Sequence, residues 1–157
     1  NFCYTLNNMT MTLIDNKRAY FDYEILEKFN AGLALKGFEV KSLKNKRGNL
    51  AGSRVIIRGS EAFVVGMEIP PYQPKNTPAG YESQRTRKLL LTKKEISYLE
   101  GKSKERGLTL MPLKLYNIKN LLKLEFAVVK GKKKYDKRAK IKERETKRKI
   151  ERELKKM

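Results

Sequence analysis

The chain has 157 residues, and its 37 Lys and Arg side chains against 17 Asp and Glu give a formal net charge of +20. Self-repulsion of this size is destabilising unless a polyanion offsets it, so nucleic acid is the expected partner. The absence of histidine excludes zinc sites and His-dependent triads, and a single cysteine, Cys3, excludes an internal disulfide. We expect no membrane contact, since no window approaches the roughly 20 apolar residues of a span.

The first third of the chain predicts a leader, a helix and a bent strand. Residues 1–15, NFCYTLNNMTMTLID, are predicted to be a disordered leader, with Met9 and Met11 as candidate start residues. The stretch YFDYEILEKF predicts a short helix with its apolar side chains turned inward. GLALKGFEVKSL alternates apolar and polar residues around Gly37, which predicts a strand with a bend or bulge.

The rest of the body predicts two hairpins and one helix. SRVIIR and EAFVVGMEI flank a Gly-Ser pair at 59–60, and a proline-rich surface loop, IPPYQPKNTPAGY, follows them. Thr92 and Glu95 form a capping box that begins a helix, and LTLMPLKLY with LLKLEFAVV predicts a second hairpin with a break at Pro112. Together these elements predict a mainly β fold with flanking helices, namely a small antiparallel β-barrel of the oligonucleotide-binding (OB) type over residues 16–130.

A basic tail is predicted at residues 131–157. Residues 130–157 hold 15 Lys or Arg and 5 Asp or Glu, which is half of the net charge. Their few apolar side chains cannot offset about 1 to 2 kcal/mol per ordered residue, so the free tail is predicted to be disordered. Good helix formers and acid-before-base pairs at i,i+4 predict that it becomes a helix on a surface that neutralises its charge.

Two basic motifs are candidate phosphate contacts. In RTRKLLL, Arg85 and Arg87 point to one side of an extended segment beside Lys88, and each guanidinium could hold a phosphate. The alternative is a solvated edge whose charges discourage aggregation. The second motif supplies point charges and an aromatic face for an unpaired base through Lys130, Lys132, Lys133, Lys134 and Tyr135. Its alternative is a solubilising segment.

An RNA-processing enzyme is the rival class, and it would need paired carboxylates. Glu24 and Glu27 stand at i,i+3 on the predicted first helix and could hold a metal or act as acid and base. Such pairs are far more often a solvated helix face. Since the sequence contains no P-loop, dinucleotide motif or nucleophile elbow, we expect no catalysis, no metal and no cofactor.

Four motifs carry a resemblance to a known family. GFEVKSL, RTRKLLL, GLTLMPLKLY and GKKKYDKR, in this order and spacing, closely resemble the small protein B family, the tmRNA-binding partner in bacterial trans-translation. The resemblance covers about residues 16 to 157. It implies an OB-type barrel that binds the tRNA-like domain of tmRNA. The protein is then expected to deliver tmRNA to stalled ribosomes together with elongation factor Tu, which it meets indirectly through alanyl-tmRNA. The tail is expected to enter the empty mRNA channel of the small subunit, next to the decoding centre, as a helix.

Site residues follow from the resemblance position by position. The family positions associated with tmRNA binding correspond to Asn16, Leu90, Lys123, Gly131, Lys132 and Lys133. Lys41, within EVKSL, is included in the expected RNA-binding set. The tail motif needed after binding, in accommodation and tagging, corresponds to Asp136, Lys137 and Arg138. The expected ribosome contact continues through Lys140, Lys142 and Arg144.

Two positions depart from the family pattern. Asn30 stands where the family commonly has Glu, and an amide keeps an acceptor and gains donors. Phe21 stands where many relatives have His, and it keeps stacking while losing hydrogen bonding and titration. We expect a cytoplasmic monomer. A structural ribosomal protein with a basic extension is the alternative function.

Overall fold

The computed structural model of the chain describes residues 10–155, with the backbone alone at Lys134 and Tyr135. Seven strands are β1 (Met11–Asp15), β2 (Tyr23–Leu33), β3 (Arg54–Arg58), β4 (Glu61–Val65), β5 (Arg87–Leu90), β6 (Leu108–Ile118) and β7 (Leu121–Gly131). Four α-helices are α1 (Lys17–Asp22), α2 (Gly37–Lys44), α3 (Lys93–Lys104) and α4 (Lys134–Leu154), and a short 3-10 helix covers Pro74–Asn76.

The strands form a closed antiparallel ring. Its order is β6-β3-β4-β5-β2-β7, with β7 returning to β6, and β1 pairs with β6 along the edge opposite β7. The long pairings are those of β7 with β2 and with β6, whereas β3 meets β6 through one residue pair, Val55 and Leu110. The protein is therefore mainly antiparallel β-sheet with four helices in its described part.

The main core fills the inside of this ring. Phe126, Leu124 and Leu115 are fully buried there, α2 adds Leu43 and α3 adds Leu99. Burying one side chain of this size contributes about 1.5 to 3 kcal/mol, so the core fixes both helices against the sheet.

A second, smaller cluster lies on the outer face of the ring. Ala19 of α1 packs there against Leu113, Ala127 and Val129, with Tyr20 and Tyr23 half-buried around it. This cluster holds α1 beside the end of β7, from which the tail departs.

The leader prediction is wrong for its last five residues. Met11–Asp15 form β1, which pairs with β6, and Leu13 and Ile14 are buried. Five residues carry too little pattern to identify a strand whose partner lies about a hundred positions further along the chain. Residues 1–9, including Cys3 and Met9, lie outside the described part, as do residues 156 and 157.

The predictions for the next two elements are also wrong. The predicted helix in YFDYEILEKF is mostly β2, and the predicted strand in GLALKGFEVKSL contains α2. A register shift between Ile25 and Glu27 interrupts the period of two in β2, so its apolar spacing resembled that of a helix. Helix α2 begins where the Glu39 side chain accepts a hydrogen bond from the Lys36 backbone N–H at 2.8 Å.

The other elements confirm the local signals. β3 and β4 pair as the predicted hairpin, β6 and β7 as the second one, and the register of that second pair shifts between Pro112 and Lys114. Thr92 and Glu95 form the expected capping box of α3. The proline-rich segment contains only the short 3-10 helix.

The basic tail is helical from Lys134 to Leu154, and its described side chains are almost all exposed. That this helix requires an RNA surface to form stays a prediction. Within residues 10–155, no helix is long and apolar enough to cross a bilayer.

Candidate nucleic-acid interface

The candidate residues that are exposed or half-buried gather at two places along β7. Lys123 lies near the start of β7 and Gly131 is its last residue. Eight residue steps at about 3.4 Å each separate them by about 27 Å. We call the first place the Gly32 patch (Asn30, Gly32, Leu90 and Lys123) and the second the tail root (residues 130–133).

The Gly32 patch is built by sheet pairing. Gly32 of β2 is the register partner of Leu90 on β5 and of Lys123 on β7, so it lies between them. A Cβ atom at Gly32 would lie 3.3 Å from Leu90 Cδ1, so the missing side chain lets Leu90 lie over the strand. Leu90 remains 56% exposed, at the wall of a cleft of about 350 Å³ that Lys123 also lines.

Asn30 extends this patch along β2. Its side-chain oxygen accepts a hydrogen bond from the Tyr116 hydroxyl at 2.9 Å. Burial raises the pKa of Tyr116, and the nearby Glu125 raises it further, so the hydroxyl keeps its proton at neutral pH. With its oxygen engaged, Asn30 presents the amide nitrogen, which is a hydrogen-bond donor.

The tail root is built where β7 leaves the sheet beside α1. The Lys132 backbone N–H donates to the Asp22 carbonyl at 3.0 Å, and its Nζ donates to the Tyr20 carbonyl at 3.1 Å. Burial lowers the pKa of Lys132, and the approach of Lys140 lowers it further. Lys130 and Lys133 are exposed. The predicted side-chain contacts of Lys134 and Tyr135 lie outside the described residues.

Phe21 lies near the tail rather than near the Gly32 patch. It is half-buried beside Tyr20, on the body wall of a cleft of about 480 Å³. Lys140 and Arg144 line the opposite wall from α4. The remaining predicted tail residues that are exposed on α4 are Asp136, Arg138 and Lys142.

Lys137 differs from its neighbours because it contacts the body. Its Nζ lies 2.8 Å from Asp22 Oδ1. The other side of the Asp22 carboxylate faces Arg18, whose Nε lies 3.4 Å from Oδ2.

The paired-arginine prediction is wrong for Arg87, which is fully buried. Its guanidinium donates to Glu39 Oε1 at 3.0 Å, to the Met67 carbonyl at 2.6 Å and to the Ser83 carbonyl at 2.8 Å. Alternation on β5 directs Arg87 inward, and because its donors are occupied by protein oxygens it offers no phosphate contact.

Arg85 takes part in the same buried ion-pair cluster. Its Nε and Nη2 donate to the two oxygens of Glu39 at 2.8 Å and 2.6 Å. Burial raises the pKa of Glu39, but the hydrogen bonds from Arg85 and the Lys36 backbone, together with the charge of Arg87, outweigh it and lower the pKa to about 2. The cluster therefore fastens α2 to β5 and to the segment before it.

Two further predicted lysines flank the Gly32 patch or lie outside it, and Lys88 shares the exposed face of β5 and a cleft with Leu90. Lys88 on β5 forms an ion pair with Glu61 of β4, in which each side chain is about half exposed. Lys41 is exposed on α2. Exposed lysines of this kind can reach phosphates, although Lys88 must give up its carboxylate partner.

Asn16 is a buried capping residue. Its Oδ1 accepts from the Ala19 N–H at 3.2 Å, and its Nδ2 donates to the carbonyls of Pro112 at 2.9 Å and Leu50 at 3.3 Å. The side chain is 4% exposed, so it supports α1 and does not face a ligand.

The carboxylate pair of the rival enzyme hypothesis does not lie on a helix. Glu24 and Glu27 belong to β2, on either side of its register shift, and both are exposed. Glu27 accepts hydrogen bonds from the Tyr98 hydroxyl at 3.0 Å and 2.9 Å. Across the described part of the chain, no three Asp, Glu, Cys or His side chains gather as metal ligands would.

Sequence reasoning missed three residues that shape these places: Asp22, Glu39 and Tyr116. Glu39 had a local signal, because an acid between two apolar residues in GFEVKSL must be either exposed or paired. Asp22 and Tyr116 had none, since their partners Lys137 and Asn30 are distant in the sequence.

Comparison with known proteins gives a consistent result. The model of the SmpB protein family matches residues 13–156. The SsrA-binding protein of Syntrophobacter fumaroxidans is 50% identical over 146 residues, covering 91% of this chain and 88% of that protein. The SsrA-binding protein of Carboxydothermus hydrogenoformans is 47% identical over 146 residues, covering 93% and 97%.

A solved structure is similar as well. It is described as "tmRNA-SmpB: a journey to the center of the bacterial ribosome", and one of its chains is 43% identical to this one with a TM-score of 0.65. The similarity covers 77% of this chain and 85% of that chain. Because the family match includes the strand ring, both candidate places and the tail, this chain belongs to the SmpB family.

Proposed function

We propose that this chain binds tmRNA through its tRNA-like domain and acts as a non-catalytic adaptor of trans-translation. Membership of the SmpB family and relatives named for SsrA binding support this function. The observation that carries it is the pairing at Gly32, which brings Leu90 and Lys123 together from positions far apart in the sequence.

The two candidate places suit different parts of a folded RNA. At the Gly32 patch, exposed Leu90 offers an apolar contact to a sugar or unstacked base, Lys123 offers a charge to a phosphate and Asn30 offers a donor. At the tail root, Lys130 and Lys133 offer two further charges. The Gly32 patch and the tail root lie about 27 Å apart. An RNA can contact both at once only if its fold holds the two contacting parts at that distance, so recognition depends on RNA shape.

Two predicted residues act through the fold in this proposal. Asn16 supports α1, which carries Phe21 and Asp22 to the tail root. Arg87 fastens α2, whose Val40 lines the cleft of the Gly32 patch.

The finer parts of the proposal follow the family. The strand ring serves as an OB-type barrel, and the chain acts as a cytoplasmic monomer that joins elongation factor Tu through alanyl-tmRNA. The exposed basic helix α4 enters the empty mRNA channel, with Phe21 near the decoding centre. The dense positive charge of residues 134–154 supports an RNA-lined destination.

A gel-shift titration tests the binding proposal. The tRNA-like domain of tmRNA is compared with an unrelated structured RNA of equal length at several salt concentrations. We expect preference for the tRNA-like domain and a log Kd that rises linearly with log salt, because each neutralised phosphate releases counterion. Equal affinity for the two RNAs would contradict the proposal.

A second experiment separates binding from tagging. Lys132→Ala with Lys133→Ala should lower the affinity for tmRNA and reduce the salt slope by about one to two. Asp136→Ala with Lys137→Ala and Arg138→Ala should spare affinity and abolish tagging. Lys93→Ala with Lys94→Ala, which removes the same charge from α3, is the matched control for the first variant. Equal loss of affinity in both test variants would refute the division of labour.

The alternative of a structural ribosomal protein predicts a different distribution. Sucrose-gradient fractions would then contain the chain on all ribosomes at fixed stoichiometry, whether or not they are stalled. Enrichment on stalled ribosomes is the result expected for the adaptor.

A further inference from the structure

Asp22, the last residue of α1, joins the body to the tail in two ways. Its Oδ1 forms the ion pair with Lys137 Nζ at 2.8 Å, and its carbonyl accepts the Lys132 N–H at 3.0 Å. The hydrogen bond from Lys137 lowers the pKa of Asp22 despite some desolvation, and the approach of Arg18 adds to this effect, so the carboxylate is charged at neutral pH.

Among the side chains that the structure describes, the pair of Asp22 and Lys137 is the one ion pair between α4 and the body. Beyond Lys137 a cleft of about 480 Å³ lies between the helix and the body, with Tyr20 and Phe21 on its body wall. Lys140 also approaches Lys132, but two like charges repel, so among the described side chains the attractive ionic contact that holds the direction of α4 is the pair of Asp22 and Lys137.

Small changes at this anchor have large effects at the far end of α4. The helix from Lys137 to Leu154 is about 25 Å long at about 1.5 Å per residue. A tilt of about 10° at the anchor therefore moves its far end by about 4 Å. A displacement of this size exceeds the length of a hydrogen bond, about 3 Å, so contacts made at the far end of α4 would be lost.

We propose that Asp22 is a positioning residue that sets the direction of α4 relative to the RNA-binding body through its ion pair with Lys137. Both side chains are partly exposed, 23% for Asp22 and 34% for Lys137. The pair therefore contributes little to the free energy of folding, and its role is to orient the helix. This inference rests on the proposed function for its biological consequence. Asp22 acts after tmRNA is bound, when the tail must meet the ribosome.

The direct test measures the tail direction in the free protein. Spin labels are placed on α3 and α4 through Ser97→Cys and Glu145→Cys, with Cys3→Ser, and their distances are measured by pulsed electron paramagnetic resonance. We expect Asp22→Asn to shift or broaden the distance distribution. The matched control is Asp15→Asn, because Asp15 lines the same cleft and forms no ion pair within the described residues. An Asp22→Asn distribution that matches the parent overturns the proposal.

Charge exchange separates positioning from an unrelated local effect. Asp22→Lys and Lys137→Asp should each disturb the distribution, whereas the double variant restores the ion pair and should return it toward the parent. Failure of the double variant to recover, with circular dichroism showing an intact fold, also overturns the proposal.

The functional arm compares tmRNA affinity and tagging. Asp22→Asn should keep the Kd for tmRNA within about twofold of the parent value and should lower tagging about fivefold or more. If a loss of affinity accounts for the whole tagging defect, Asp22 has no positioning role. If the parent itself shows no preference for tmRNA, the proposed function fails, while the distance measurements still decide the role of Asp22.

Discussion

Glu39→Gln tests whether a buried charge holds the RNA-binding body together. Glu39 accepts hydrogen bonds from Arg85, Arg87, the Tyr81 hydroxyl and the Lys36 backbone, and its side chain is fully buried. The amide keeps the shape of the side chain but removes the negative charge. Arg87, also fully buried, is then left without its counterion.

Two independent magnitudes apply to this variant. Removing one partner of a buried ion pair costs about 3 to 5 kcal/mol. The pKa of Glu39, about 2 in place of 4.5, corresponds to about 3 kcal/mol of stability. Either value is a large part of the roughly 5 to 15 kcal/mol by which a domain is stable.

The sign of the pH dependence follows from the lowered pKa. The contribution of Glu39 is fully present above about pH 4.5 and is lost as the pH falls toward 2, because the unfolded state then binds the proton first. The stability gap between the parent and Glu39→Gln should therefore narrow over this range. Other carboxylates titrate in both proteins, so their effects largely cancel in the difference.

Urea unfolding followed by circular dichroism at pH 7 and at several values down to pH 2.5 measures this gap. Glu61→Gln is the control, because it removes a carboxylate from the half-exposed pair with Lys88 and should cost below about 1 kcal/mol. A cost below about 1 kcal/mol for Glu39→Gln at pH 7, or a gap that stays constant with pH, would refute the reasoning.

Two further variants test packing and capping. Gly48→Ala should lower the free energy of unfolding by about 1 to 3 kcal/mol in the same urea assay, because the new Cβ would lie 2.5 Å from Ile14 Cδ1. Gly101→Ala on α3 is the control. Its new Cβ meets nothing within 4 Å, so the variant should be as stable as the parent or more stable. Asn16→Ala should cost about 1 to 3 kcal/mol, and Asn16→Asp should cost at least as much, because Asp keeps the capping acceptor but sets a buried carboxylate against the carbonyls of Pro112 and Leu50. If Asn16→Ala lowers RNA affinity while unfolding is unchanged, Asn16 contacts RNA directly and our assignment is wrong.

Elements defined by neighbouring residues could be predicted from the sequence. The hairpin of β3 and β4 and the capping box of Thr92 and Glu95 are confirmed. Each depends on interactions between residues a few positions apart. Residues 134–154 are helical in the structure, whereas the disorder expected of the free tail stays a prediction. Family membership could also be predicted from local sequence, because four short motifs in a fixed order were enough to indicate the family that the family model then matched.

Elements defined by distant partners could not be predicted in this way. β1 and β2 are strands because β6 and β7, about a hundred positions away, pair with them, and the register shift in β2 hid its period. Arg87 illustrates the same limit within a site, because nothing in the sequence near Arg85 and Arg87 shows that both pair with the buried Glu39, which lies more than 40 positions earlier.

The amino-acid sequence alone determined the charge of this protein, the concentration of that charge in its tail, and its family, because these are properties of composition and short-range order. Only the tertiary structure decided which candidate side chains are exposed and which are buried. Closure of the strand ring turns Arg87 inward, exposes Leu90 beside Lys123 and brings Asp22 to the base of the tail. Burial and long-range pairing are set by the whole chain, so no local pattern encodes them.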